Sequence, residues 1–101
     1  MAFVKAAKVA DIPEGTGAVV NVDGTDVAVF NVNGNFYAID NTCLHRGGPL
    51  GEGILDDKIV TCPWHGWTYD VTTGQSTFNP NARVAAYKIK VEGEDVLVSL
   101  E

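Results

Sequence analysis

Apolar and polar residues alternate with a period of two over much of the chain, and no stretch carries a helical period over the ~11 residues that would define one. Towards the C-terminus Tyr87, Ile89 and Val91 alternate with Lys88, Lys90 and Glu92. Residues 92–94 read as a turn, and Val96, Val98 and Leu100 then follow, with Asp95 and Ser99 between them. This spacing predicts half-buried antiparallel strands with one polar face. Two more hairpins are predicted upstream. Asp23-Gly24 separates 18–22 from 25–32, and Asn33-Gly34 separates 25–32 from 36–40. Both dipeptides accept the positive φ angles of a type I′ turn.

The segment at about 41–83 breaks this regularity. It holds six of the eleven glycines (47, 48, 51, 53, 66, 74) and three of the four prolines (49, 63, 80). Short strands fit at 58–61 and 67–70, with loops elsewhere. A loop-rich insert of this length needs something to order it, and a metal that crosslinks the loops would do so. The expected fold is therefore all-β: a small antiparallel β-sandwich or barrel carrying a loop-rich, metal-stapled subdomain at about 41–83. At 101 residues, a single domain over 1–101 is expected.

Charge narrows the partners. Thirteen acidic against seven basic residues give a formal net charge of −6. Nucleic acid is excluded, because phosphate neutralisation needs clustered Lys and Arg. Two readings of the acidity stand: docking onto a basic protein surface, or simple solubility. No apolar run approaches the ~20 residues of a membrane span, and the N-terminus has no signal-peptide pattern. A cytoplasmic, monomeric protein is expected.

The candidate chemistry sits on four residues, Cys43, His45, Cys62 and His65, which are the only cysteines and histidines of the chain. They fall as Cys-x-His, a sixteen-residue gap, then Cys-x-x-His. A cytoplasmic chain would rarely keep a disulfide, and a histidine just after each cysteine points to metal ligation. Two centres compete. Zinc accepts Cys₂His₂ in a tetrahedron, but the usual finger pairs two cysteines on one turn with two histidines on a helix. Here each half-site mixes the two residue types and no helix is evident. A [2Fe–2S] cluster with both cysteines on one iron and both histidines on the other takes such mixed half-sites. Colour separates the two, since a zinc protein would be colourless.

The run Cys62-Pro63-Trp64-His65-Gly66-Trp67, followed by Tyr69-Asp70 and paired with Cys43-Leu44-His45-Arg46-Gly47-Gly48-Pro49-Leu50, resembles the Rieske iron–sulfur family. The flanking hairpins extend the resemblance over nearly the whole chain. It implies one [2Fe–2S] cluster held by Cys43, His45, Cys62 and His65, with the imidazole-ligated iron near the surface and both ring edges facing a partner. With neutral imidazoles the oxidised centre sums to zero charge, so adding an electron is easier than at a four-thiolate cluster. In respiratory members of the family, a further cysteine in each loop forms a disulfide, and a serine and a tyrosine donate hydrogen bonds to the cluster. Aligned here, those extra cysteines would stand at Gly48 and Trp64 and the serine at Trp67. All three are absent, whereas Tyr69 keeps the tyrosine position. The resemblance is thus to the soluble, lower-potential branch, in the lower half of the range of about −150 to +300 mV.

The neighbours carry alternative readings. Tyr69 either donates to a sulfur or simply packs. Leu44 and Trp64 are expected to shield the cluster or form a docking tip, or else to be loop core, Trp67 to pack in the core, and Arg46 to be solvated. Glu52, Asp56 and Asp57 read as an acidic docking rim or an ordinary polar turn. Asp70 reads as a turn cap. Asp56 and Asp57 are not a catalytic pair, because adjacent strand residues face opposite ways.

The resemblance implies a function as well. Rieske oxygenases need a second, mononuclear iron bound by two histidines and a carboxylate, and no histidine is left over for one. Respiratory members carry a membrane helix, which is absent. What remains is an electron-transfer protein rather than an enzyme. It would be a soluble one-electron carrier that takes electrons from a flavin or iron–sulfur reductase and passes them to a terminal oxygenase of the aromatic-ring dioxygenase or monooxygenase type. The loop at residues 44–50 also resembles the small Rieske subunit of NADH-dependent nitrite reductases, which is the alternative.

Overall fold

A computed structural model describes residues 3–43, 48–64, 66–77, 79 and 81–100. The elements in chain order are β1 (Val4–Lys8), a 3₁₀ turn (Val9–Asp11), β2 (Gly17–Val22), β3 (Thr25–Val32), β4 (Asn35–Asp40), a second 3₁₀ turn (Leu50–Glu52), β5 (Ile54–Asp56), β6 (Ile59–Thr61), β7 (Thr68–Asp70), β8 (Ala86–Glu92) and β9 (Asp95–Ser99). They form two antiparallel sheets, a six-stranded one in the order β1-β9-β8-β4-β3-β2 and a three-stranded one in the order β5-β6-β7. The edge strands β1 and β2 of the larger sheet lie against each other, so it curls into a nearly closed barrel. The fold is all-β, as the periodicity predicts.

Turn chemistry sets the register. Asp23 and Gly24 have φ of 50° and 86°, and Asn33 and Gly34 have 53° and 91°. These are the paired positive angles of type I′ turns. Each turn is capped by an asparagine two residues upstream: Gly24 N donates to Asn21 Oδ1 (3.1 Å) and Gly34 N to Asn31 Oδ1 (2.8 Å). The turns bring Val22 opposite Thr25 and Val32 opposite Asn35.

β3 is the strand that joins fold to site, because it is buried on both faces. Alternation sends Val27 and Val29 one way, into the barrel core with Ile12, Val22, Ala38, Val96 and Val98. Ala28 and Phe30 face the other way, into a second core with Ile39, Leu50, Val60, Tyr69, Val71, Val84 and both cysteines. The unbroken apolar run Val-Ala-Val-Phe is what a strand covered on both sides requires.

Four features depart from the sequence reading. β1 was not expected. A register irregularity between Lys5 and Ala7 interrupts its pairing with β9 and half-buries Ala6 and Ala7 together, which erases the alternation. β5 was not expected either; it is an edge strand of three residues whose Ile54 is 76% exposed. Asp57 lies in the β5–β6 turn with φ of 55°, so the turn and not strand alternation separates it from Asp56. Ser99, expected on a polar face, is buried. Its strand β9 runs between β1 and β8 instead of along an edge.

Candidate metal centre

Two loops carry the predicted ligands, and each is closed by backbone hydrogen bonds at its base. In the first, Cys43 N donates to Gly48 O (2.9 Å) and Leu50 N to Asn41 O (2.7 Å), while Thr42 and Pro49 form a bridge. The buried Asn41 side chain adds a pin, its Oδ1 accepting from Gly51 N at 2.7 Å. In the second, Cys62 N donates to Trp67 O (2.7 Å) and Gly66 N to Cys62 O (3.2 Å), with Gly66 at φ 77°. That loop connects β6 to β7, whose pairing of Val60 with Tyr69 aims the phenol into the second core.

The cysteines of the two loops converge inside that core. Cys43 is 1% exposed, Cys62 2% and Tyr69 0%. The Tyr69 hydroxyl lies 3.5 Å from Cys43 Sγ. Tyr69 therefore does both things proposed for it: it packs, and its hydroxyl reaches a sulfur. Cys62 Sγ approaches Gly48 so closely that a Cβ there would stand 2.8 Å from the sulfur. Leu50, Val60, Val71 and Val84 line the same core and keep water from the sulfurs.

His45 and His65, with Leu44 and Arg46, lie outside the described residues. The donor chemistry fits a cluster of mixed ligation nonetheless. Two soft sulfurs from loops distant in sequence are gathered in one buried apolar core, one of them seated against the bare Gly48 backbone, and a histidine follows each within three residues.

The neighbours divide as follows. Trp67 packs against the core, as expected. Trp64 is 57% exposed and rests on Gly48, so it covers the site from outside without being buried in it. Asp70 caps a turn, accepting from Thr72 N (2.8 Å) and Thr72 Oγ1 (2.6 Å), and it pairs loosely with Lys58 (3.7 Å). Glu52, Asp56 and Asp57 are exposed. Sequence reasoning missed Asn41, Leu50 and Val84. Asn41 left one usable signal, an amide at the end of an apolar strand where a polar residue must find buried partners.

The loops behind the site are stitched by a third segment. Ser76 N donates to Ala82 O (2.9 Å) and Val84 N to Gly74 O (2.8 Å). Gln75 Nε2 donates to the carbonyls of Asn79 and Ala82, both at 3.1 Å, and the hydroxyls of Thr68 and Thr77 are hydrogen-bonded. These bonds tie the described residues of this segment to one another, and among them no strand forms.

Known proteins share this fold. The sequence profile of the Rieske [2Fe-2S] domain family matches residues 2–97. The ferredoxin component of the naphthalene 1,2-dioxygenase/salicylate 5-hydroxylase systems of Ralstonia sp is 34% identical over 100 residues, spanning 98% of this chain and 96% of the relative. The ferredoxin of carbazole 1,9a-dioxygenase from Nocardioides aromaticivorans IC177 superposes with a TM-score of 0.91 at 30% identity over 100% of both chains. A chain of the complex of reduced oxygenase and oxidized ferredoxin in carbazole 1,9a-dioxygenase matches with a TM-score of 0.87 at 31% identity, over 96% of this chain and 92% of that one. By the profile over nearly its whole length, by relatives above 30% identity and by its fold, this chain belongs to the Rieske [2Fe-2S] domain family.

Proposed function

We propose that this protein is a one-electron carrier that accepts electrons from a reductase and delivers them to a terminal oxygenase of an aromatic-ring dioxygenase system. The observation that carries this reading is the convergence of Cys43 and Cys62 from two separate loops into one buried core, in a chain whose relatives are ferredoxin components of such systems. The family's cofactor is a Rieske [2Fe–2S] cluster. When bound, that cluster supplies a one-electron redox change.

Cys43 and Cys62 are the sulfur ligands in this reading, and His45 and His65 the nitrogen ligands. The Tyr69 hydroxyl, 3.5 Å from Cys43 Sγ, donates to the ligand thiolate. The apolar side chains around the sulfurs exclude water from that side. The exposed carboxylates of Glu52, Asp56 and Asp57, in a chain of net charge −6, steer it towards a basic partner surface. Within these 101 residues both histidines are committed to the half-sites, so the protein relays electrons and leaves substrate oxidation to its partner. It works as a cytoplasmic monomer.

A reconstituted chain tests the proposal. The purified protein should be reduced by a ferredoxin reductase with NADH and should support product formation by an added aromatic-ring oxygenase. Reduction without any oxygenase turnover, together with stable co-purification of a large reductase subunit, would instead make it a subunit of a reductase complex.

A further inference from the structure

Trp64 stands in the second loop, between Cys62 and Gly66, yet it makes its close approach to the first. A Cβ built on Gly48 would lie 3.1 Å from Trp64 Cγ, 3.2 Å from Trp64 Cδ2 and 2.8 Å from Cys62 Sγ. The indole therefore rests directly on the Gly48 backbone, beside the sulfur. Gly48 is buried there, while Trp64 remains 57% exposed. Gly48 is in turn tied to Cys43, whose N–H donates to the Gly48 carbonyl at 2.9 Å. A continuous path thus runs from Cys43 through Gly48 to Trp64 and back along the chain to Cys62.

A tryptophan more than half exposed is an unusual choice for a residue that only fills space. Its ring is rigid and flat, and here it has a seat against Gly48 that only a glycine leaves open. Any side chain at Gly48 would push against both the ring and the sulfur, since real Cβ atoms do not approach to 2.8 Å. Gly48 has no positive φ to require glycine, so the close approach is the physical reason for glycine at this position.

We propose that Trp64 is a positioning residue that clamps the two ligand loops together across Gly48, holding the Cys62 sulfur in place and slowing cluster loss. This rests on the reading of Cys62 as a ligand. It concerns how the site is held and not where the electron goes.

The test compares holoprotein carrying Trp64→Ala, Trp64→Phe, Gly48→Ala or the Trp64→Ala/Gly48→Ala pair. The measurements are the rate at which visible absorption is lost to a ferrous chelator and the visible circular dichroism of the cluster. Trp64→Ala should lose its cluster about tenfold faster, as expected when an outer-shell support is removed. Trp64→Phe, which keeps a flat ring on Gly48, should restore most of the retention. Gly48→Ala should alter the visible circular dichroism by displacing the ring and the sulfur. The double variant should lose its cluster more slowly than the product of the two single effects predicts, because both changes disrupt one contact. Wild-type retention in Trp64→Ala, or single effects that multiply, would overturn the clamp. If Trp64→Ala cannot be isolated with its cluster, Gly48→Ala decides: wild-type retention and an unchanged spectrum in that variant would overturn it equally. Cys62→Ser separates ligation from clamping. If it keeps the full spectrum, the ligand reading fails. If it loses the spectrum while Trp64→Ala behaves as wild type, only the clamp fails.

Discussion

The hydroxyl of Tyr69 lies 3.5 Å from the sulfur of Cys43, and both residues are buried, although 26 positions separate them in sequence. With Cys43 as a thiolate ligand the phenol is the donor, because a thiolate can only accept. Such a bond stabilises negative charge on sulfur and so favours the reduced state. Tyr69→Phe should leave the fold intact and lower the midpoint potential by on the order of tens of millivolts, the scale of one weakened charge-assisted hydrogen bond. Protein-film voltammetry reads this directly. An unchanged potential would mean that the hydroxyl does not reach the sulfur electronically.

Cys43 and Cys62 each anchor one loop, and the proposed ligation of one cluster by both would tie the loops together. Replacing either cysteine by serine should abolish the visible spectrum of the cluster. Residues 41–83 should also become readily cleaved by protease, because metal binding contributes folding free energy to the loops it crosslinks. Retention of the full spectrum in either variant would refute the assignment of that ligand.

Asn41 closes the first loop from below. Its side-chain oxygen accepts from Gly51 N at 2.7 Å in a buried setting. Asn41→Ala leaves that N–H without its acceptor, which should cost about 1–3 kcal/mol in urea denaturation. Asn41→Asp keeps an acceptor and should recover part of the loss.

Two glycines with similar backbone angles should respond differently to alanine. Gly24 has φ of 86° with nothing within 4 Å of an added Cβ. Gly24→Ala should therefore cost only the left-handed strain of about 1–2 kcal/mol. Gly74 has φ of 82°, and its added Cβ would stand 2.2 Å from the Val84 carbonyl oxygen. Gly74→Ala should add a packing penalty of roughly 1–3 kcal/mol to the strain. Equal urea midpoints for the two variants would contradict this close approach.

Tyr87 supplies the pH dependence. Burial, and secondarily the Asp40 carboxylate, raise its phenol above the ordinary value of 10.0. The folded state therefore holds this proton more tightly than the unfolded chain. The resulting stability is fully present below pH 10 and is lost as pH rises through the raised folded value. Unfolding midpoints should fall as the pH rises above about 10 in the wild type, and less so in Tyr87→Phe.

Much of the candidate site was legible in the residues themselves. Cys43, His45, Cys62 and His65 carry their chemistry in short spacings, and the adjoining Pro63, Trp64 and Gly66 carry the family resemblance. The two Asx-Gly turns were equally legible, because the positive φ of a type I′ turn is a local requirement. β1 and β5 were not legible, since a register irregularity and an edge position remove the alternation that would mark them. The burial of Ser99 was hidden for a related reason: nothing local says that β9 runs between two other strands.

By itself the sequence determined the all-β class and the hairpin turns and singled out four candidate ligands, because period-two alternation, turn chemistry and donor type act over a few residues. Tertiary structure alone decided that β3 is covered on both faces, that Tyr69 meets Cys43, and that Trp64 closes onto Gly48 beside Cys62. Those contacts depend on sheet register and on how two loops pack over one core, and both are set by the balance of burial over the whole chain.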